Sequence, residues 1–338
     1  EYIVFSVLLP SLCDPACMQV RAWLHRVLWT PEAYTRVLAI SEGIYAGIDY
    51  LPFRYHAWLK DPQRRMFVAK LEEKVVAFDS FLVVDGGVAA VLQGLRVAPW
   101  MRGRGVAGII QKFTLDTLRL DHPDVTKIRL TRAEDPPPTM LNKYSFLHSK
   151  LWHSIGGISG ASLYTCQEFP PPVFLDYSEV HRLFSGPLQE GDLLPRRLLI
   201  QAWLPITTCK ANLDLMQRWR VRDITNDGSA TAVKGFLSLT SPMFPVPLGD
   251  GKHRLDIDLF GTDLSCAKIH ILLLLKEAVK ALPTGGSIVC ILYAEESLRD
   301  GLTGFLDRLI PFTLCREQLV LEMDIKPVKT PPSTQCHN

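Results

Sequence analysis

The sequence predicts a mixed α/β fold, an α+β mixed sheet, that occurs twice in tandem, once in each half of the chain. Its 338 residues suggest two domains, and a hydrophobic share of 47% is enough for two sizeable cores. The first half predicts the element order α-α-β-β-β-α-β-α, and the second predicts β-β-β-β-α-β-α-β. The second half therefore resembles a degenerate copy of the first, with an unrelated α/β domain as the alternative.

The first half begins with two short helices and three strands. Thr30 can cap a helix whose first position is Pro31, and Asp85–Gly87 is a strong hairpin signal. No clear strand precedes Thr30, where Arg26–Trp29 is only a stub. The predicted elements are a helix from Pro31, a helix at Phe53–Leu59, and strands at Met66–Leu71, Lys74–Val84 and Val88–Val97.

The remaining elements follow a glycine-rich turn at Arg102–Ala107. An amphipathic helix after this turn stops near Asp121, Lys127–Thr131 is a strand, and Thr139–Leu147 predicts a helix. Glu168–Pro172 is a natural linker, so we place the domains at 30–167 and 173–326. In the second half we predict strands at Leu198–Leu204, Arg218–Ile224, Val233–Leu239, Leu255–Leu259, Ser287–Tyr293 and Gln318–Ile325, and helices at Leu264–Leu282 and Leu298–Leu309.

Charge and cysteine usage exclude several classes of protein. A net charge of +2 argues against nucleic acid or an anionic membrane as the main partner, and Arg64–Arg65 and Arg196–Arg197 are expected to be solvated faces. The eight cysteines form no C-x-x-C pair, which disfavours a metal site and a disulfide scaffold and favours a cytoplasmic location. No apolar run is long enough to span a bilayer, although the short run Tyr2–Cys13 could pass for the middle of a signal peptide.

The strand that ends at Val97 leads into a turn suited to an anion. Glycines at the start of a helix let backbone N–H groups converge on a phosphate. By letter, Gly103, Gly105 and Gly108 match G-x-G-x-x-G, but the preceding strand is the third of a meander rather than the first of a βαβ unit. The Gly-Lys-Ser/Thr ending of a P-loop is absent from this turn.

The pattern R-x-x-G-x-A from Arg102 to Ala107 resembles motif A of the Gcn5-related N-acetyltransferase (GNAT) superfamily. The resemblance implies that the turn amides hold the pyrophosphate of acetyl-coenzyme A and that the preceding strand binds its pantetheine arm. The junction Phe260–Leu264 lacks this pattern, so we expect no coenzyme A there. The implied cofactor-binding residues are Leu95, Arg96, Val97, Arg102, Gly103, Arg104, Gly105, Val106, Ala107 and Gly108.

Further segments resemble the vertebrate histidine N-acetyltransferase group. These segments are Ser41–Pro52, Gly94–Pro99, Arg102–Gln111, Trp203 and Asp256–Gly261, and the resemblance covers roughly Glu32 to Ile325. It implies direct transfer of acetyl to the α-amine of free L-histidine in a ternary complex, without a covalent enzyme intermediate. The implied partner is this small amino acid. The sequence leaves the oligomeric state open.

The resemblance also implies the catalytic candidates. Gln93 stands where the family commonly has a glutamate base, and an amide cannot accept a proton. Asp79 is then the best remaining base, with a solvated strand residue as the alternative. Tyr144 occupies the family's position for an acid near the leaving thiolate, His148 is expected on the same helix face, and the Leu95 N–H is the expected oxyanion donor.

The loop over the expected acceptor cleft carries Tyr45, Asp49 and Tyr50. A tyrosine ring can stack on an imidazole, and Asp49 can pair with a cationic imidazole or ammonium. Alternatively, these residues fix the loop to its own domain. Two rival functions stay open: an acetyltransferase for another small amine, or a catalytically impaired relative that only binds acyl-coenzyme A, since Gln93 replaces the usual acid.

Overall fold

The computed structural model describes residues 22–26, 31–72, 74–133, 136–158, 173–175, 177–185, 193–215, 230–233, 235–306 and 310–325. The strands are β1 (Ala22–Arg26), β2 (Arg64–Leu71), β3 (Lys74–Val84), β4 (Ala89–Val97), β5 (Lys127–Ala133), β6 (Ser145–Ile158), β7 (Val173–Leu175), β8 (Leu198–Gln201), β9 (Leu204–Thr207), β10 (Ala230–Val233), β11 (Phe236–Thr240), β12 (Phe244–Pro245), β13 (Lys252–Phe260), β14 (Ser287–Ala294) and β15 (Ile310–Asp324). The helices are α1 (Pro31–Ala39), α2 (Leu51–Lys60), α3 (Val106–Asp121), α4 (Pro138–Leu141), α5 (Tyr177–Ser185), α6 (described over 210–215), α7 (Leu264–Lys280) and α8 (Arg299–Leu306).

One mixed sheet runs through both halves of the chain. Its strand order over the described residues is β1-β2-β3-β4-β5-β15-β6-β14-β13-β11-β10-β7, and β12 adds to β13. Each half contains three antiparallel strand pairs followed by one parallel pair. The parallel pair is β4 with β5 in the first half and β13 with β14 in the second. This repeated order confirms the predicted tandem α/β fold.

The last strand of each half pairs with the other half. β15 lies between β5 and β6, and β6 pairs in turn with β14. Strands β6 and β15 therefore join the two halves in the middle of the sheet, because each of them pairs with strands of the other half. Without the other half, these strands would expose edges of unpaired N–H and C=O groups, which favour aggregation, so each half depends on the other for its completed sheet.

The hairpin β8–β9 is a separate two-stranded sheet that packs between the halves. Leu204 and Ile206 join a buried cluster with Leu82 and Val91 of the first half and Leu237 of the second. Burial of such side chains stabilises the contact by about 2 kcal/mol each. The hairpin thus holds its tip, at residues 202–203, against one face of the large sheet.

Several local predictions were wrong. A first strand does exist at Ala22–Arg26, paired with β2. The predicted helix Thr139–Leu147 is a single helical turn followed by β6, because pairing of Ser145 and Phe146 with β15 outweighs local helix propensity. Leu198–Leu204 is a hairpin outside the main sheet, and Val233–Leu239 is two strands joined by a turn. Thr30, the linker Glu168–Pro172 and Arg218–Ile224 lie outside the described residues.

Among the described residues, no helix combines the length and the apolar character needed to cross a bilayer.

Candidate active site

A split between β4 and β5 forms the centre of the candidate site. The two strands pair only over Ala89–Val91 and Lys127–Arg129, and they separate beyond these residues. The register of β4 against β3 shifts at this level, so that Gly94 and Leu95 lie opposite one residue, Asp79. Such a bulge bends its strand, which accounts for the departure of β4 from β5.

Gly94 is required at the bulge for two reasons. Its φ is +82°, and an added Cβ would lie 3.1 Å from ring atoms of both Phe78 and Trp58. After the bulge, the half-buried side chains of Leu95 and Val97 pack against the core of the first half. The backbone of β4 therefore borders the split between β4 and β5. This placement agrees with the expectation that the β4 edge receives an extended ligand.

The glycine turn leaves the start of α3 open. Gly103 and Gly105 have φ values of +74° and +76°, and no atom lies within 4 Å of a Cβ built at either position or at Gly108. Gly105 is the N-cap residue, and no side chain caps the helix. The first amides of a helix with this geometry suit a phosphate group, so the turn fits the pyrophosphate of acetyl-coenzyme A.

The residues around these glycines have distinct placements. Arg102 and Arg104 are exposed, and Arg102 Nε donates to the Val97 carbonyl at 3.2 Å. Val106 is buried in the core below the turn, and Ala107 follows it in the first turn of α3. The turn thus presents backbone amides and two cationic side chains at its surface.

Gln93 is held on both sides by the scaffold. Its Oε1 accepts a hydrogen bond from Arg64 Nη2 at 2.7 Å, and its Nε2 donates to the Trp203 carbonyl at 3.0 Å. The Thr131 hydroxyl donates to the same carbonyl at 3.0 Å. Gln93 therefore links the first half to the tip of the β8–β9 hairpin.

Asp79 lies on the opposite face of the sheet from Gln93. Gln93 pairs with Ser80, so the neighbouring Asp79 points to the α3 side, where it is 1% exposed. Burial raises the pKa of this carboxyl to about 7, and its Oδ2 has no hydrogen-bond partner among the described residues. A carboxyl with such a pKa can exchange a proton at neutral pH.

Tyr144 lies near Asp79 but on no helix. It follows the turn after α4, and burial together with the charge of Asp79 raises the pKa of its phenol. His148 does not share a helix face with Tyr144, as the sequence predicted, because it lies on β6. There its Nε2 contacts a Glu295 carboxylate oxygen at 3.3 Å.

A cluster of rings from both halves lines the sheet face that carries Gln93. We call Tyr45, Tyr50, Trp152, Trp203 and Tyr293 the aromatic wall. Tyr45 stacks on Tyr50 and on Trp203 with ring centroids 6.1 Å apart in each pair, and Trp203 meets Trp152 and Tyr293 edge-on at 5.9 and 6.3 Å. Sequence analysis identified the two tyrosines of the loop but not Trp152 or Tyr293, because those residues come from β6 and β14.

Asp49 is held within the first half by an arginine and a backbone amide. Its Oδ1 accepts from Arg96 Nη2 at 2.7 Å and from the Leu51 amide at 3.1 Å, and the side chains of Asp49 and Arg96 are 3% and 2% exposed. The Arg96 guanidinium also lies 5.4 Å from the ring centres of Tyr45 and Tyr50. This is the geometry of the alternative in which Asp49 fixes the loop to its own half.

The second half also holds this loop. Arg254 Nη1 donates to the Ile48 carbonyl at 2.9 Å, while Nε and Nη2 contact Asp256 Oδ1 at 2.9 and 2.8 Å. The Leu248 amide donates to the Gly47 carbonyl at 2.9 Å. Both halves therefore fix this loop.

Arg64 is a site residue that the sequence analysis missed. The pair Arg64–Arg65 was expected to be a solvated face, yet Arg64 is only 5% exposed. Successive strand residues point to opposite faces, so the pair is divided between the two sides of β2. Arg64 lies with its guanidinium 3.9 Å from the centre of the Trp58 ring.

Among the described residues, no group of three or more histidine, cysteine, aspartate or glutamate side chains is arranged to hold a metal ion. The geometry of the candidate site combines an open anion turn, a split sheet, a titratable carboxyl and an aromatic wall.

Comparisons with known proteins agree with this geometry. Residues 29–137 match the Acetyltransferase (GNAT) family, and residues 168–295 match the family Histidine N-acetyltransferase, C-terminal. A solved tandem GNAT protein from the clavulanic acid biosynthesis pathway covers 90% of this chain and 99% of its own at a TM-score of 0.58 and 10% identity, which shows the fold.

Two relatives align over most of the chain. A human protein named Probable N-acetyltransferase 16 is 36% identical over 88% of this chain and 85% of its own. The histidine N-acetyltransferase of Scomber australasicus is 32% identical over 90% of this chain and 95% of its own. With both halves aligned at this identity and the acetyltransferase fold in place, the chain belongs to the histidine N-acetyltransferase group of the GNAT superfamily.

Proposed function

We propose that this enzyme transfers acetyl from acetyl-coenzyme A to the α-amino group of free L-histidine, by direct attack in a ternary complex. The observation that carries the proposal is the split between β4 and β5, which opens beside the uncapped glycine turn on one side and the aromatic wall on the other. The relative named histidine N-acetyltransferase supports histidine as the acceptor.

The proposed cosubstrate contacts follow from backbone geometry. The amides of Gly103–Gly108 would hold the pyrophosphate, and the β4 backbone at Leu95–Val97 would hold the pantetheine arm. Bound acetyl-coenzyme A supplies the acetyl group as a thioester. The Leu95 N–H, at the bulge, is the proposed donor to the oxygen on which charge develops.

Asp79 is the proposed proton acceptor, acting through a water in the split because its carboxyl lies on the face opposite the aromatic wall, and Tyr144 is the proposed acid for the leaving thiolate. Support for Asp79 comes from its raised pKa of about 7 and its unpartnered Oδ2, which make it receptive to a proton at neutral pH. The charge of Asp79 acts on Tyr144, so the two groups share one electrostatic environment beside the bulge. Gln93 would orient the site through Arg64 and Trp203.

The aromatic wall is the proposed contact for an imidazole. Tyr45, Tyr50 and Trp203 are half-buried and come from the loop and the hairpin tip, so a flat ring can lie against them. Asp49 is proposed to hold this loop in place through Arg96.

Residues 30–167 and 173–326 remain the proposed domains, each with its last strand in the shared sheet. A cytoplasmic location is also proposed. The thiols of Cys209, Cys266 and Cys290 are free, which suits a reducing compartment.

One observation favours a second candidate function. By the resemblance, Gln93 stands where the family commonly has a glutamate base; an amide cannot accept a proton, and its carbonyl is engaged by Arg64. A protein that binds acyl-coenzyme A without turnover would have the same features.

Thiol release from acetyl-coenzyme A, measured with each of the twenty amino acids, tests the proposal. Calorimetric titration with coenzyme A should accompany it. We expect release to be fastest with L-histidine. Tight coenzyme A binding without release for any amino acid would instead support the second candidate.

A further inference from the structure

Arg64 is a buried cation with unused hydrogen-bonding capacity. Its Nη1 donates to the Ser80 hydroxyl at 3.2 Å and its Nη2 to Gln93 Oε1 at 2.7 Å. Its Nε is buried and has no partner among the described residues. A guanidinium has five N–H donors in a planar fork that matches a carboxylate, so this side chain is only partly satisfied.

The other buried arginines on this sheet face have carboxylate partners. Arg96 pairs with Asp49 at 2.7 Å, and Arg254 pairs with Asp256 at 2.8 Å. Arg64 has no carboxylate within 4.0 Å in the described part of the chain, although Asp61 attracts it from farther away. Burial lowers the pKa of Arg64 to about 10, so it is still charged at neutral pH. An unpaired buried charge is strongly unfavourable unless something supplies the opposite charge.

The position of Arg64 adjoins the proposed acceptor cleft. Gln93 connects its guanidinium to the hairpin tip at Trp203, and the Trp58 ring beneath it contacts Tyr50 at 5.8 Å. Trp58 also packs on Gly94 at the bulge. The unpaired cation therefore lies between the aromatic wall and the point where β4 leaves β5.

We infer that Arg64 binds the α-carboxylate of the amino-acid acceptor and thereby selects amino acids over simple amines. This inference rests on the proposed function. It also gives a reason for the amide at position 93. A glutamate there would place a carboxylate about 2.7 Å from the guanidinium, as the present contact does, and would neutralise Arg64 internally.

Acetylation of L-histidine and of L-histidinamide, which lacks the carboxylate, tests the inference. We expect Arg64→Met to lower kcat/KM for histidine by about 10- to 100-fold and to leave histidinamide within about threefold. Arg64→Lys, which keeps the charge but not the fork, should fall between wild type and Arg64→Met. The two acceptors differ in amine pKa, but this difference cancels when variants are compared.

Arg65→Met is the matched control, because Arg65 lies next in the chain but on the other face of β2. It should keep the wild-type ratio between the two acceptors. Gln93→Glu should raise KM for histidine more than for histidinamide. If position 93 merely lacked a base, the same substitution would raise kcat for both acceptors alike.

An unchanged ratio in Arg64→Met, with coenzyme A affinity and melting temperature near wild type, overturns the role of Arg64. Failure of the proposed function has a different signature: wild-type protein would release no thiol with either acceptor. In that event both proposals are refuted together.

Discussion

The two halves share one topology but differ where a ligand would enter. In the first half, β4 pairs with β5 over three residue pairs and then leaves it. In the second half, β13 pairs with β14 over seven residue pairs, from Lys252 to Asp258. β4 has a bulge against β3, while β13 pairs with β11 without a register shift. The two parallel strands thus separate in the first half, whereas the equivalent strands stay paired in the second half.

The turn that follows β4 is open, whereas the turn that follows β13 is packed and capped. Gly103 and Gly105 face open space, and α3 has no side-chain cap. In the second half a Cβ on Gly261 would lie 2.7 Å from the Phe236 ring, so that glycine serves close packing. Asp263 caps α7 by accepting from the Cys266 amide at 2.8 Å. The cap occupies an amide and places a carboxylate at the helix start, and β13 and β14 stay paired, so we expect no anion site in the second half.

Removing the second half should have the largest effect. A fragment ending at residue 167 loses β15 beside β5, and β6 loses both of its neighbours. We expect it to be unfolded or aggregated and inactive, as measured by circular dichroism, size-exclusion chromatography and thiol release. Residues 168–338 added in trans should restore activity. A soluble, fully active fragment would show that the first half is self-sufficient.

Asp79→Asn tests the acid that faces the bulge of the first half. We expect kcat to fall about 100-fold with coenzyme A affinity retained, because an amide cannot accept the amine proton. The wild-type rate should rise with pH through about 7, where Asp79 ionises, and the variant should lose this dependence. Unchanged kcat would mean that Asp79 is only a buried core residue.

The stability of the same variant should change in the opposite direction. Asp79 holds its proton more tightly when folded, because its pKa is about 7 rather than 3.8. The stability from this proton is complete below pH 4 and is lost as pH rises to 7. The amide of Asp79→Asn has no charge to bury, so the advantage of the variant over wild type should grow between pH 4 and 8 by at most about 4 kcal/mol. Thermal melts at both pH values measure it.

Gly105→Asp introduces into α3 the kind of charge that caps α7. We expect coenzyme A affinity to fall about 30- to 100-fold, since a carboxylate would lie where the pyrophosphate is proposed to bind. Gly105→Asn is the control, because asparagine has a similar shape, tolerates positive φ and has no charge. Calorimetry should show a small loss for the asparagine variant and a large one for the aspartate variant. Equal losses would indicate a steric or backbone effect.

Asp263→Ala should have the smallest effect. Loss of this cap costs about 1 kcal/mol of stability and lowers the melting temperature by a few degrees. The binding stoichiometry of coenzyme A should stay at one per chain, because β13 and β14 remain paired. A second binding event in calorimetry would contradict the view that strand pairing closes the second half.

Features fixed by local sequence were predictable. The structure confirms the hairpin at Asp85–Gly87, the strand that ends at Val97 and the turn in which Gly103 and Gly105 have positive φ. Each of these features depends on residues that are neighbours in the sequence. The tandem order was predictable because strand and helix signals recur in both halves. The pattern of Arg102–Ala107, together with the strand and helix on either side of it, indicated the superfamily.

Features fixed by distant contacts were not predictable. Met140 and Leu141 are good helix formers, so the sequence favoured a helix through Leu147, but the helical turn ends at Leu141 and β15 pairs with Ser145 and Phe146 as a strand. Trp152 and Tyr293 join the aromatic wall only through the pairing of β6 with β14. Arg64 appeared to be half of an exposed basic pair, because its burial depends on Trp58, Ser80 and Gln93 across three elements.

The exchange of final strands imposes an order on biosynthesis. β6 ends at Ile158 and β15 at Asp324, so β5 and β6 emerge from the ribosome roughly 165 residues or more before β15 is complete. At about 5–20 residues per second, the nascent first half waits roughly 8 to 30 s with unpaired strand edges. Folding of the catalytic half is therefore coupled to the synthesis of β15, and a premature stop before residue 310 leaves neither half of the sheet complete.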